Sequence, residues 1–184
     1  MTIFGDTTLP ITLVTGGASS GKSKFALSLL KKDSKAMFVA TGVEMDDEMK
    51  ERIKYHKSER PENWETIEEP VDLVSLFENY DDKIDTPIII DCLTFWVSNL
   101  MFYNGFTKEK IANEAKKLSS ILSQLKTRVV VVTNELGMGI VPAGEESRVF
   151  RKVAGEVNQI FAEKSECVYF VVSGVPLKIK PSVF

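Results

Sequence analysis

The sequence predicts an α/β fold in which a mostly parallel sheet carries helices on both faces. Short apolar runs rich in β-branched residues alternate along the chain with longer stretches of helical periodicity, the pattern of repeated strand–helix–strand units. One run, Val129-Val130-Val131-Val132, has no polar alternation and suits a central parallel strand covered on both faces. The third observation is a glycine-rich turn, Gly16-Gly17-Ala18-Ser19-Ser20-Gly21-Lys22-Ser23, set between a strand and a helix.

Length and composition bound the rest. The 184 residues suit one domain with a full core, taken as residues 1–184 with 1–10 as a loose lead-in. A net charge of −3 gives no general pull toward nucleic acid. No apolar run approaches the ~20 residues that span a bilayer, and the N-terminus lacks a basic region followed by an apolar core, so no secretory signal is expected. Cys92 and Cys167 stand far apart beside strands and read as buried thiols rather than a disulfide or metal pair. A cytoplasmic enzyme fits all of this.

In order, Ile11–Thr15 reads as a buried strand and Ser23–Leu30 as a helix. After a polar turn, Ala36–Thr41 is a second strand closed by Gly42. Asp46, Asp47 and Glu48 open a charged helix, acids at its positive end, which Pro61 terminates. Trp64–Glu68 alternates as a short strand, and Val71–Phe77 forms a short helix. Ile88-Ile89-Ile90-Asp91 is a strand ending in an acid, and Leu93–Phe102 continues as an apolar helix. Thr107 is placed to cap a helix whose Ile111, Ala115, Leu118, Leu122 and Leu125 form one buried stripe. The valine strand follows, then a Gly- and Pro-bearing loop over 134–144, a long helix over Glu145–Lys164, and a last strand, Cys167–Ser173.

The glycine-rich turn fits the phosphate-loop pattern G-x-x-x-x-G-K-[ST]. Such a turn aims backbone N–H groups at phosphate oxygens, and the following helix adds its positive end. Lys22 is placed for the β- and γ-phosphates, and Ser23 for Mg²⁺. Asp91, at a strand tip, is the candidate second magnesium ligand, as an acid on a neighbouring strand. His56 is the sole histidine, with Arg52 and Arg60 one turn away on either side. It reads as a packed or surface residue, or as a nucleophile toward phosphorus. The loop Thr133–Pro142 lies where functional loops of such folds lie, though nothing local names its role. Arg148 and Arg151 either supply charge to phosphates or face solvent. Tyr55, Trp64 and Trp96 either pack on a planar ligand or sit in the core.

Several segments occur together: Val14-Thr15-Gly16-Gly17 with the phosphate loop, Ala40-Thr41-Gly42, Asp47-Glu48-Met49, Arg52-Ile53 with His56-Lys57 and Arg60-Pro61, Asp91-Cys92-Leu93-Thr94, and Asn99-Leu100. Thr133-Asn134-Glu135-Leu136-Gly137-Met138-Gly139-Ile140-Val141-Pro142, Phe150-Arg151, Ala154-Gly155, Asn158-Gln159 and Val172-Ser173-Gly174 with Lys178 complete the set. The chain thereby resembles the bifunctional adenosylcobinamide kinase/adenosylcobinamide-phosphate guanylyltransferase family of cobalamin assembly, from Ile11 to Lys180. The phosphate loop is generic; the histidine helix and the N-E-x-G-M-G-I-V-P loop are specific.

The resemblance implies a compact phosphate-loop (RecA-like) α/β domain, often a homotrimer, with two reactions. ATP or GTP phosphorylates the aminopropanol hydroxyl of adenosylcobinamide; then a histidine, here His56, takes GMP from GTP and passes it to the phosphorylated corrinoid. The implied nucleotide-binding positions are Gly16, Gly17, Ala18, Ser19, Ser20, Gly21, Lys22, Ser23, Ala40, Thr41, Gly42, Lys57, Ser58, Glu59, Arg60, Glu68 and Asp91. The chain has Gly42 where many relatives have serine, which removes a hydroxyl near the nucleotide. Two other readings are a kinase for another small molecule, and a GTP-driven switch. The switch predicts a guanine-reading [NT]-K-x-D segment, which is absent after the late strand, where Thr133-Asn134-Glu135 stands.

Overall fold

The computed structural model describes residues 11–43, 47, 50–51, 57, 60–80 and 86–181. They form a seven-stranded sheet: β1 (Ile11–Gly16), β2 (Met37–Ala40), β3 (Glu65–Glu68), β4 (Ile88–Asp91), β5 (Val129–Val132), β6 (Cys167–Val172) and β7 (Val175–Lys180). The helices are α1 (Lys22–Leu29), α2 (Leu73–Glu78), α3 (Leu93–Ser98), α4 (Lys108–Leu122) and α5 (Glu145–Lys164). Strand order is β3-β2-β4-β5-β1-β6-β7, parallel throughout except for β7, which runs antiparallel to β6. The expected α/β architecture stands.

The two-residue period of a strand sends alternate side chains to opposite faces, and both faces are covered. Ile88, Ile90, Val129, Val131, Ile11 and Leu13 pack under α2, α3, α4 and α5. Ile89, Val130, Val132, Val14 and Phe38 pack with Phe25, Ala26 and Leu30 of the α1 segment. A strand buried on both sides has no polar alternation to show, which is why the four valines run unbroken.

Local chemistry sets the helix starts. The Asp72 side chain accepts from the Ser75 N–H and opens α2, while Glu69 takes the Val71 and Asp72 N–H groups. Thr107 caps α4 by accepting from the Lys110 N–H at 3.3 Å, and Ile111, Ala115, Leu118 and Leu122 are buried along one stripe. Both cysteines are buried and free. Burial, reinforced by the charge of Asp91, pushes the Cys92 thiol up to about 12.

Two elements differ from expectation. The apolar stretch from Leu93 is not one α-helix: α3 ends at Ser98 and a π-helical turn covers Asn99–Tyr103. Buried Asn99 accounts for the change, because its side-chain N–H₂ reaches two backbone carbonyls, Thr41 at 2.8 Å and Pro70 at 3.0 Å. The second difference is β7, an additional strand after Cys167–Ser173, the last one expected. Ser173 (φ 50°) and Gly174 (φ 82°) form a tight two-residue hairpin, a conformation that glycine adopts without penalty. The Lys180 ammonium then donates to the Ala162 and Glu163 carbonyls at the end of α5, where positive charge is favoured.

Candidate active site

The phosphate loop leaves the C-terminal end of β1 and enters α1. Gly17, Ala18 and Ser19 are exposed at its crest. Gly16 has φ +154°, and a Cβ there would lie 2.4 Å from the Val171 carbonyl oxygen of the adjacent strand, so only glycine lets β1 and β6 pair up to the start of the loop. Gly16 and Ser20 are fastened through their carbonyls, which accept from Glu135 N–H and Gly174 N–H, both at 2.9 Å. The Lys22 ammonium is 7% exposed and donates to the Gly17 carbonyl at 2.6 Å across the loop. No side chain caps α1, so the amides of its first turn are unclaimed by a capping residue, and Ser23 sits half-buried within that turn.

The second group of expected residues gathers at the tips of β2, β3 and β4. Ala40 pairs with Asp91 on one side and Glu68 on the other. Thr41 is fully buried, and its hydroxyl donates to the Cys92 carbonyl and accepts from the Cys92 N–H, each at 2.7 Å. It thereby fixes the backbone behind Asp91 and has no hydroxyl proton left to donate to a ligand. Gly42 is half-buried beyond it. Lys57 and Glu68 form an ion pair at 2.5 Å, both well exposed, and the Lys57 hydrogen bond holds the Glu68 carboxyl below its usual range. The Arg60 guanidinium stacks over the Phe38 ring at 3.7 Å. Burial lowers its pKa, opposed by the nearby charges of Asp91 and Glu68.

Asp91 was expected on a strand next to the phosphate-loop strand. It is not: β5 lies between β4 and β1, so the acid is two strands away, on the order of 10 Å between strand axes. Sequence cannot order parallel strands, because connections of helix length reach either neighbour. His56, Ser58 and Glu59 lie outside the described residues, as do Arg52 and Tyr55. Trp64 and Trp96 are core residues, 7% and 1% exposed, with the Trp96 indole N–H donating to the Val71 carbonyl.

The loop after β5 is tied down by a buried polar network that sequence reasoning missed. The Thr133 hydroxyl donates to Asn158 Oδ1 at 2.7 Å and lies 3.2 Å from the Thr94 hydroxyl. Thr94 accepts from the Asn134 N–H at 2.8 Å, and the Asn158 amide donates to the Asn134 carbonyl at 3.0 Å. The available signal was polarity in apolar surroundings: Thr133 ends a run of four valines, and Asn158 follows Val157 within the buried side of α5. Arg148, exposed, and Arg151, half-buried, each engage the loop with part of the guanidinium. Arg148 donates to the Pro142 and Ala143 carbonyls, and Arg151 to the Gly137 carbonyl, pinning the loop to α5.

Comparison with known proteins places this geometry. The sequence matches the family described as cobinamide kinase / cobinamide phosphate guanyltransferase over residues 12–179. It is 40% identical over 179 residues to the bifunctional adenosylcobalamin biosynthesis protein CobU of Escherichia coli strain K12, covering 91% of this chain and 98% of that one. It is 37% identical over 169 residues to the similarly named CobP of Pseudomonas aeruginosa, covering 91% and 96%. A solved structure from Pyrococcus horikoshii OT3 shares the fold alone, with a TM-score of 0.56 at 10% identity over 95% of this chain and 87% of that one. With its phosphate loop, acid-tipped strand and pinned loop, the chain belongs to the cobinamide kinase / cobinamide phosphate guanyltransferase family.

Proposed function

We propose that the chain phosphorylates adenosylcobinamide with ATP or GTP and then transfers GMP from GTP to the product through a guanylyl-histidine at His56. The observation that carries this is the phosphate loop, with its exposed crest, uncapped helix start and Lys22 folded across it, in a chain of this family.

In the first step the acceptor hydroxyl attacks the γ-phosphorus, the bond to the β-phosphate oxygen breaks, and the hydroxyl proton is lost to solvent or base. Gly17–Ser20 amides and Lys22 hold the phosphates in line; positioning and charge stabilisation supply most of phosphoryl-transfer catalysis. In the second step an imidazole nitrogen of His56 attacks the α-phosphorus of GTP, a P–N bond forms, and pyrophosphate leaves. A phosphate oxygen of the acceptor then attacks the same phosphorus, and the P–N bond breaks. Arg60, fixed over Phe38, and Lys57 set positive charge beside Asp91 and Glu68, within the set expected to hold nucleotide with Ala40, Thr41 and Gly42.

Ser23 and Asp91 are the residues that would hold Mg²⁺. A hydroxyl and one carboxylate are hard oxygen donors, and magnesium takes few protein ligands together with phosphates and waters. Bound there, the ion would neutralise charge on the phosphates.

No helix among the described residues is long and apolar enough to cross a membrane; a cytoplasmic site of action is part of the proposal. The homotrimer has a candidate surface in Val175, Leu177 and Ile179, each more than half exposed along one face of edge strand β7. A single folding unit over residues 1–184 is supported by the sheet itself, where β1 is flanked by the distant β5 and β6.

The test is incubation with GTP labelled at the α-phosphorus, with Mg²⁺ and no corrinoid. Acid-labile, alkali-stable label on wild-type protein, lost in His56→Ala, is expected. Protein that binds GTP but takes no label would remove the covalent route.

A further inference from the structure

The first half of α5 presents an exposed flank, with Arg148, Lys152 and Glu156 outward and Val153 and Ala154 buried. Asn158 bonds Thr133 and Asn134 just past β5, and residues 148–156 extend up to roughly 15 Å from it toward the helix start at 1.5 Å per residue. Facing this segment is the pinned loop. Between them lies a groove of about 580 Å³ lined by Gly137, Val141, Arg148, Arg151, Lys152 and Gly155, among others.

Its chemistry is specific. The loop wall is Gly137 and Val141, the latter 66% exposed, and the same loop carries two more exposed apolar residues, Met138 and Ile140. The helix wall carries three cations against one acid, Glu156. Arg148 and the Nη2 of Arg151 are occupied with loop carbonyls, but Arg151 Nη1 is enclosed without a partner, and Lys152 is exposed with no hydrogen bond or ion pair among the described residues. Gly155 opens the floor: a Cβ there would meet nothing within 4 Å. The loop wall is also tied to the phosphate loop, since the N–H of Glu135, two residues before Gly137, donates to the Gly16 carbonyl at the loop's root.

We propose that this groove seats the corrinoid acceptor, with the face of its macrocycle against Val141 and its phosphate, once formed, beside Arg151 and Lys152. The assignment rests on the function proposed above. It follows from charge complementarity, from an apolar wall residue too exposed to be core, and from the tie between the loop wall and the phosphate loop.

The experiment uses full-length Gly155→Leu, which fills the groove floor at an unstrained helical position, and Lys152→Glu, which reverses an exposed unpaired charge. Steady-state KM values would be measured for GTP, adenosylcobinamide and adenosylcobinamide phosphate, with assembly mass by light scattering. Gly155→Leu should raise both corrinoid KM values at least tenfold while the GTP KM moves less than twofold. Lys152→Glu should raise KM for the phosphorylated corrinoid at least fivefold more than for the unphosphorylated one. Corrinoid KM values within twofold of wild type in both variants would overturn the assignment. So would a change in assembly mass as the main effect of Gly155→Leu, which would make the groove a contact between copies. Wild-type protein that turns over neither corrinoid would instead sink the function reading, and the acceptor site with it.

Discussion

The buried network of Thr94, Thr133, Asn134 and Asn158 should behave as one unit, and a double-mutant cycle measures whether it does. Thr133→Val is nearly isosteric, and Thr133 is only 1% exposed. It strips the acceptor from the Thr94 hydroxyl and the donor from Asn158 Oδ1. Each orphaned buried group costs about 1–3 kcal/mol, with half-buried Asn158 at the low end because water can reach it, so the variant should lose about 2–4 kcal/mol. Asn158→Leu orphans the Thr133 hydroxyl and exposes the Asn134 carbonyl to hydration, for about 1–3 kcal/mol. In the double variant the Thr133–Asn158 pair is gone from both sides, and only the Thr94 hydroxyl and the Asn134 carbonyl remain short of partners. The double variant should therefore cost about 2–4 kcal/mol less than the sum of the singles. Urea unfolding of the four proteins, with m-values checked for constancy, reads this directly. Additivity within about 0.5 kcal/mol would refute a coupled network and show that each side chain acts alone.

Gly16→Ala should be more damaging than its single methyl suggests, because the Cβ would lie 2.4 Å from a backbone oxygen of β6. Overpacking and strain together put the loss at about 2–5 kcal/mol, and calorimetry should show Tm lowered by at least several degrees; an unchanged Tm would count against the close approach. Stability should also fall in alkali. With the Cys92 thiol held protonated in the folded protein up to about 12 and ionising near 8.5 when unfolded, the unfolded state binds fewer protons above that lower value, so folding weakens as pH rises from about 9 toward 12. A denaturation midpoint falling over that range in wild type, and falling less in Cys92→Ala, is the expected result; parallel curves would remove Cys92 as a source.

Much of the fold is legible because its cause is local. Four valines announce a doubly covered strand, the phosphate loop carries its own spacing, and α5 begins and ends where its periodicity does, at Glu145 and Lys164. What escapes the sequence depends on partners far along the chain. The insertion of β5 between Asp91 and the phosphate loop is a choice among parallel neighbours that no short window records. The π-helical turn at Asn99 exists because two carbonyls, of Thr41 and Pro70, draw that side chain inward. Strand β7 was readable in principle from Ser173-Gly174 followed by alternating Val175, Leu177 and Ile179, but Pro176 and two lysines masked the alternation. At the site, motif spacing yields Lys22, Ser23 and Asp91. Thr94, Thr133 and Asn158 instead come together from three separate elements, so only the folded chain shows them as a group.

The pairing of β1 has a consequence for the order in which a growing chain takes shape. Ile11 pairs with Val129 and Thr12 with Cys167, so of the strands described here β1 leaves the ribosome first and receives its neighbours well over a hundred residues later. At 5–20 residues per second, that interval is on the order of ten seconds. Throughout it, the phosphate-loop strand has emerged without the two strands that bury it. The hairpin that bonds Ser20 through Gly174 completes the loop only at the close of that interval, so nucleotide binding in the emerging polypeptide should begin abruptly once the β6–β7 turn is clear of the exit tunnel.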